Sequence, residues 1–371
     1  GDVTRPDPAM GASVRVTPRP DGPPDIVLVG GGDAILIDAG DCERDCLSSL
    51  ADMIVANGVK SVGRVIGDDT LYPDQRWGKG WTQEDLILRS GAPASALTVN
   101  SNEVMLEIAP GEAPNARALV TWRKGDDFFD LLNTTVMIEG AEDRLRIERP
   151  LGSNSVRIFG ELGMMTPPQT IPLAVEKPAM TAAWRLQRLL EERGVVVAND
   201  PESSHRKLRL DDDPPARGEA PPQRDVAPGV EIARLLPPPL IDDMRFLMKQ
   251  SQNQHAEMLL RRLGLVEGGG SVEDGLAIVT AMMDETGAER AAWDLSDGSG
   301  MSTYNRVTPR TVARLLRWTS QQPWDQQFRA TLPIGGIDGT LSRRFRGTLL
   351  EGRIFAKTGT NSRRLLSARA T

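Results

Sequence analysis

The sequence predicts a multidomain chain of mixed α/β class, with a β-rich module set between αβ segments and a helical C-terminal half. Three observations predict it. The chain has 371 residues, more than one compact core usually holds, so two or three domains are expected. Between about residues 95 and 160, short alternating runs separated by turn residues read as strands. From about residue 231, apolar residues recur at helical spacing.

The elements follow in order. Residues 1–24 are rich in Pro and Gly and read as loop. Asp25–Val29 is a short buried strand ending at Gly30-Gly-Gly-Asp33, which is not a dinucleotide fingerprint because position 35, where the third spaced glycine belongs, is Ile. Residues 44–57 fit an amphipathic helix stopped by Gly58, and Val62–Ile66 reads as a strand. Gly67-Asp68-Asp69 and Trp77-Gly-Lys-Gly-Trp81 read as loops. Strands are expected at 96–100, 104–108, 135–139, 145–149 and 156–159. A helix over 179–193 stops at Gly194, and Val195–Ala198 is a strand. Residues 199–230, with Asp211-Asp-Asp-Pro-Pro215, read as linker or long surface loop. In the helical half, Ser271 and Asp274 have capping-box spacing, and Thr308-Pro309 is an N-cap followed by Pro at the first helical position.

Composition excludes several functions. Hydrophobic residues make up 39% and charged residues 26%, as in ordinary globular proteins. The longest apolar runs are too short to span a membrane. Net charge is −7 with no basic block, which argues against nucleic acid as a partner. Two cysteines, Cys42 and Cys46, suit one small disulfide or two helix-face thiols, and no metal site. Only His205 and His255 are available to any scheme that needs a histidine base. There is no G-x-S-x-G elbow and no H-E-x-x-H.

Three short patterns carry the chemistry: Ser251-Gln-Asn253 at the junction of two helical stretches, Asp297-Gly-Ser-Gly-Met-Ser302, and Lys357-Thr-Gly-Thr360 after the β-like run Gly352–Ala356. Each alone has a bland reading: a helix cap, a loop, a strand running into a turn. In this order they match two of the three signatures of penicillin-binding proteins and class A β-lactamases, the third being S-x-x-K. The flanks extend the match: Ala256-Glu257, Tyr304-Asn-Arg-Val-Thr-Pro309, Pro333-Ile-Gly-Gly-Ile-Asp-Gly-Thr-Leu341, Gly30–Asp33, Gly67–Asp69, Arg76–Trp81, Pro93–Leu97 and Gly152-Ser-Asn154. From about residue 25 to 361 the chain resembles the class C penicillin-binding D-alanyl-D-alanine carboxypeptidases/endopeptidases.

That resemblance implies acyl transfer from peptidoglycan stem peptides ending in D-Ala-D-Ala, with β-lactam antibiotics as inhibitors, no cofactor and no metal, in a periplasmic or other extracytoplasmic location. It implies that Ser251 relays a proton to the leaving amine. Asn253 hydrogen-bonds the substrate peptide oxygen and holds the lysine of S-x-x-K, and Lys357 supplies positive charge near Ser251 and the substrate carboxylate. Thr358 and Thr360 bind that carboxylate, Gly359 lets an extended peptide approach the backbone, and the N–H of Thr360 serves the oxyanion hole. It also implies the architecture: residues 1–24 a loop remnant, 25–94 and 165–230 an inserted αβ domain, 95–164 a small β-rich domain, and 231–371 the C-terminal half of a penicillin-binding/β-lactamase-like transpeptidase domain.

One departure is plain. The only Ser with Lys three residues on is Ser204–Lys207, in a polar stretch that reads as loop. The nucleophile is therefore expected to lie upstream of Gly1, and both ends of the chain read as cut. A second reading is a non-catalytic protein of the same shape that binds peptidoglycan peptides or a partner; a third, a β-lactamase, is disfavoured by the long β-rich insertion. Asp68 and Asp69 are weaker candidates for a carboxylate pair. Trp77 and Trp81 are assigned to packing, His255 to a solvent-facing position and His205 to loop.

Overall fold

The computed structural model describes residues 2–38, 42–220, 222 and 225–359. In chain order the strands are β1 (Ser13–Thr17), β2 (Asp25–Val29), β3 (Ser61–Val62), β4 (Val65–Pro73), β5 (Glu103–Ala109), β6 (Leu119–Trp122), β7 (Asp130–Ile138), β8 (Arg146–Glu148), β9 (Ser155–Gly163), β10 (Gln169–Ala174), β11 (Val196–Val197), β12 (Glu202–Arg206), β13 (Val230–Arg234), β14 (Trp293–Asp294) and β15 (Arg306–Val307). The helices are α1 (Leu47–Ala56), α2 (Pro178–Glu192), α3 (Pro214–Arg217), α4 (Leu240–Gln250), α5 (Asn253–Gly264), α6 (Val272–Glu285), α7 (Pro309–Thr319) and α8 (Asp325–Thr331). The described residues fall into two compact units, one of 2–81, 93–101 and 178–359, the other of 82–92 and 102–177.

The first unit is built on a five-stranded sheet in the order β12-β4-β2-β1-β13. β1 runs antiparallel to both β2 and β13, while β2, β4 and β12 are parallel. Helix α2 carries Ala179, Ala182, Ala183, Leu186 and Leu190 on one buried stripe, and α1 carries Leu47, Leu50 and Ile54. Both stripes join the core with Val14, Ile26 and Leu28 of the sheet. Gly194 at φ 79° follows the end of α2, a left-handed position that glycine fills without strain. Gly67 of β4 faces the carbonyl oxygen of Ala179, where a Cβ would come within 2.0 Å, so helix and strand meet at backbone distance.

The second unit contains two three-stranded sheets, β10-β5-β6 and β7-β9-β8. Their inner faces share a core of Val104, Leu106, Met137, Val156, Ile158 and Leu173 with Phe129 and Leu162. β7 and β9 pair in parallel over nine residues. In β7 a buried Met137 follows an exposed Val136, the alternation of a strand with one wet face.

Several expectations need correction. Residues 1–24 are not all loop: Ser13-Val-Arg-Val-Thr17 is β1, and the surrounding Pro and Gly mask its alternation. Residues 96–100 are not a strand. The β-rich unit reaches to 177 and takes in 82–92, because β10 pairs with β5 across six residues. Gly67-Asp68-Asp69 is not a loop but lies within β4. The stretch 199–230 holds β12, α3 and the start of β13 instead of a linker. The boundaries 25–94, 165–230 and 231–371 therefore give way: β1 and β13 belong to the αβ sheet, and that sheet shares one unit with the helical half.

Cys42 and Cys46 form a disulfide at the entry to α1, a bond suited to an oxidising compartment. Just before Cys46, Asp45 is buried at φ 54°. Burial, then hydrogen bonding and repulsion with the neighbouring Asp33 carboxyl, push Asp45 up to about 9. A carboxyl raised above its unfolded value of about 3.9 takes up a proton on folding. The resulting penalty is absent below that value and grows as pH rises toward 9. Asp45→Asn, which tolerates a left-handed backbone, should raise the urea midpoint near pH 7 and leave it little changed near pH 4. A lower midpoint near pH 7 would show that the charged form is the stabilising one.

Candidate active site

Helix α4 has Asp242 and Asp243 in its first turn and Lys249 in its last, charges that oppose the helix dipole at each end. It stops at Ser251, left-handed at φ 56°, ψ 52°, whose N–H bonds to Leu247 O. Gln252 is extended and Asn253 opens α5. Ser251-Gln-Asn253 is thus a helix–helix corner that presents a half-buried serine and a half-buried asparagine two residues apart.

Lys357 arrives from the far end of the described chain. The segment 352–356 runs antiparallel to 333–335 through Gly335 N to Ile354 O (2.9 Å), Gly352 N to Gly335 O (2.8 Å) and Ala356 N to Pro333 O (3.1 Å). Only the Ile334–Phe355 bridge is regular, so the expected β-run Gly352–Ala356 is not a strand; Gly352 at φ 69° turns the chain instead. Asp338 fastens the opposing loop: Oδ1 accepts from Ile334 N (2.9 Å) and Oδ2 from Lys249 Nζ (2.6 Å). Lys249 also donates to Leu332 O (2.7 Å). Helix α4 therefore carries Ser251 at its end and, through Lys249, holds the loop against which the Lys357 segment is laid.

The result is a contact across the sequence. Lys357 Nζ donates to Ser251 Oγ at 2.6 Å and to Thr358 O at 2.5 Å. Partial desolvation holds the Lys357 ammonium below the usual lysine range. Thr358 Oγ1 donates to Thr340 Oγ1 at 2.8 Å. Around Gly359 an added Cβ would meet nothing within 4 Å, so the chain's own packing does not demand glycine there. Thr360 lies outside the described residues. Thr340, Lys249 and Asp338 were not singled out by sequence; the signal for two of them was the Pro333–Leu341 motif, to which no role had been given.

The second motif is a brace. Asp297 accepts from Trp81 Nε1 (2.9 Å), Gly300 N (2.9 Å), Ser302 N (2.6 Å) and Asn305 Nδ2 (2.6 Å). Glu257, one turn into α5 from Asn253, accepts from the N–H of Gly298 (3.0 Å) and of Ser299 (2.9 Å). Trp81 is half-buried and spends its indole N–H on Asp297.

Both histidines sit between a serine and an aspartate. His205 is on β12, not in loop, with Nδ1 2.7 Å from Asp69 Oδ1 and Nε2 2.9 Å from Ser203 Oγ. The hydrogen bond to Asp69 raises its pKa. Asp69 also accepts from Ser95 Oγ (2.8 Å), and Asp68 accepts from Thr70, so these two aspartates are each engaged locally within the fold. His255 does not face solvent: it is buried on α5, with Nδ1 2.5 Å from Asp243 Oδ1 and Nε2 2.9 Å from Ser101 Oγ. Ser204 lies on β12, and Lys207 follows directly. The pair is therefore not on one helix turn, the arrangement that sets residues three apart side by side on one face. Among the described residues, no group of three or more His, Cys, Asp or Glu is placed to hold a metal ion, and no helix is long and apolar enough to cross a membrane.

The sequence matches the profile of the D-Ala-D-Ala carboxypeptidase 3 (S13) family over residues 16–363. It is 33% identical over 352 residues to a D-alanyl-D-alanine carboxypeptidase of Actinomadura sp. (strain R39), an alignment covering 91% of this chain and 61% of that protein. It is 25% identical over 329 residues to D-alanyl-D-alanine carboxypeptidase DacB of Haemophilus influenzae, covering 86% and 64%. The chain thus spans less than two thirds of the length of these relatives. Among solved structures it is similar to penicillin binding protein 4 (dacB) from Haemophilus influenzae, with TM-score 0.76 and 22% identity over 95% of this chain and 74% of that one. A structure of that protein complexed with a β-lactam gives TM-score 0.68 at 20% identity, covering 96% and 74%. At these identities the likeness is one of fold.

Proposed function

The chain belongs to the D-Ala-D-Ala carboxypeptidase 3 (S13) family, and on that premise we propose that it supplies one wall of a serine-type D-alanyl-D-alanine carboxypeptidase/endopeptidase acting on peptidoglycan stem peptides. The observation that carries the reading is the 2.6 Å hydrogen bond from Lys357 Nζ to Ser251 Oγ, between residues 106 apart in sequence. Because Lys357 donates, the proton of Ser251 is left to point elsewhere, toward an amine in the cleft. As the acyl–nitrogen bond breaks, that proton passes to the leaving D-Ala amine, and the developing alkoxide is stabilised by the ammonium at its back. The same ammonium, with the hydroxyls of Thr358 and Thr340, suits a terminal carboxylate. Asn253, at the opening of α5, is the donor this reading assigns to the peptide oxygen. An extracytoplasmic location is supported by the Cys42–Cys46 disulfide.

This reading requires a Ser-x-x-Lys pair from beyond these 371 residues, since Ser204 lies on strand β12 and Lys207 past its end. The test is labelling with a fluorescent penicillin. The complete protein should be acylated, with the label lost when the serine of its Ser-x-x-Lys is replaced by Ala; the 371-residue chain alone should stay unlabelled. Labelling of the 371-residue chain that is abolished by Ser204→Ala would move the nucleophile to β12. A complete protein that binds stem peptide without being labelled would favour the non-catalytic reading.

A further inference from the structure

We infer that His255 is a positioning residue for the Ser251–Lys357 site; the inference rests on the peptidase reading above. Ser251 and Asn253 stand on a turn of two residues between α4 and α5, and the turn contains a non-glycine left-handed residue. Such a corner keeps one geometry only if the surrounding structure over-determines it. Four contacts do so. His255, two residues beyond Asn253, reaches back with Nδ1 to Asp243 in the first turn of α4, at 2.5 Å. Its ring packs against Phe246 of the same helix, centroids 4.9 Å apart. Its Nε2 meets Ser101 Oγ at 2.9 Å, and the adjacent Gln254 donates to Thr98 Oγ1 at 2.9 Å. The first turn of α5 is thereby tied to α4 on one side and to residues 98–101 on the other.

Histidine suits this place because it offers a polar atom at each end of a rigid ring. With a carboxylate at Nδ1, the neutral ring carries its proton there, and Nε2 is left to accept from the Ser101 hydroxyl. Neither asparagine nor glutamine reproduces both ends: asparagine mimics Nδ1, glutamine Nε2. The order Asp243–His255–Ser101 is that of a nucleophilic triad. The side chain of His255 is only 1% exposed, however, and cannot pass a proton to a substrate in the cleft. Its effect on chemistry runs through the atoms it holds in place.

The experiment compares His255→Asn and His255→Gln with Ile54→Ala in the complete protein. Ile54→Ala is a cavity variant in the α1 core, remote from the corner, and serves as the stability control. Misplacing a reacting group by about 1 Å costs up to about 100-fold in rate. His255→Gln is expected to lower kcat by about that factor with KM little changed. His255→Asn, which keeps the bond to Asp243, should retain more activity, and Ile54→Ala should lower the urea midpoint with kcat preserved. If kcat is unchanged in both His255 variants, or falls no further than it does in Ile54→Ala at a comparable loss of urea midpoint, the inference is overturned. Should the wild-type protein show no turnover, the peptidase reading fails and the decisive measurement becomes a crystal structure of His255→Gln. Opening of the Ser251 Oγ to Lys357 Nζ contact beyond hydrogen-bond reach supports the positioning role, and an unaltered contact overturns it.

Discussion

In the complete protein, Lys357→Gln is expected to lower kcat/KM toward a D-Ala-D-Ala peptide by about 10²- to 10⁴-fold, the range for loss of a positioned proton-transfer partner. On the proposed peptidase reading two functions are lost together. The ammonium that donates to Ser251 Oγ goes, so the alkoxide formed as the proton leaves is no longer neutralised. The positive charge for the peptide's terminal carboxylate goes as well. Lys357→Arg restores charge but not the point donor, because a planar guanidinium cannot replace a compact ammonium at 2.6 Å; it should recover a minor part. The two losses separate with a peptide whose C-terminus is amidated. That substrate never used the carboxylate contact, so the penalty for Lys357→Gln should be smaller on it. An equal penalty on both peptides would remove the carboxylate role. A penalty below tenfold on the acid peptide would remove the assignment of Lys357 to the site.

The largest expected effect on stability is at Glu257. Its side chain is fully buried and pairs with Arg261, also buried, at 3.0 Å, while it accepts from two backbone amides of the Asp297 loop. Arg261 further donates to Glu257 O and to Gln75 O. Glu257→Ala leaves an uncompensated buried cation and two unsatisfied amides, a loss of about 3–5 kcal/mol. Glu257→Ala/Arg261→Met, which removes both charges, should regain part of it. Urea denaturation of the three proteins measures this. A double variant no more stable than Glu257→Ala would mean that the amide contacts, not the ion pair, dominate.

The sequence made the helices legible where their ends carry chemistry. The Ser271–Asp274 capping box, the Thr308-Pro309 start of α7 and the glycine stop after α2 all form as the residues suggest. Strands were harder to read. β4 was cut short at Gly67-Asp68-Asp69 because buried carboxylates contradict the apolar run expected of a central parallel strand. Nothing local shows that Thr70, Ser95 and His205 satisfy them. The same holds for the site. Ser251 and Lys357 were found through motifs, and the structure brings them into contact. The Lys249–Asp338 pair that helps to place Lys357 joins residues 89 apart and leaves no periodic trace. His255 was misread because a histidine near a helix start looks the same in sequence whether it meets water or Asp243.

The five-stranded sheet sets a timetable for synthesis. Its edge pair β1–β13 matches Ser13 with Arg234, so β1, made well over 200 residues before β13, waits for nearly the last residue of the sheet before that ladder can close. At roughly 5–20 residues per second, with domains folding as units during synthesis, the described part of the β-rich unit, which ends at residue 177, emerges several seconds earlier. Throughout that interval one edge of β1 has no ladder partner. Its sequence, Ser-Val-Arg-Val-Thr, sets an arginine between the two valines, the kind of charge that discourages a waiting edge from pairing with another nascent chain.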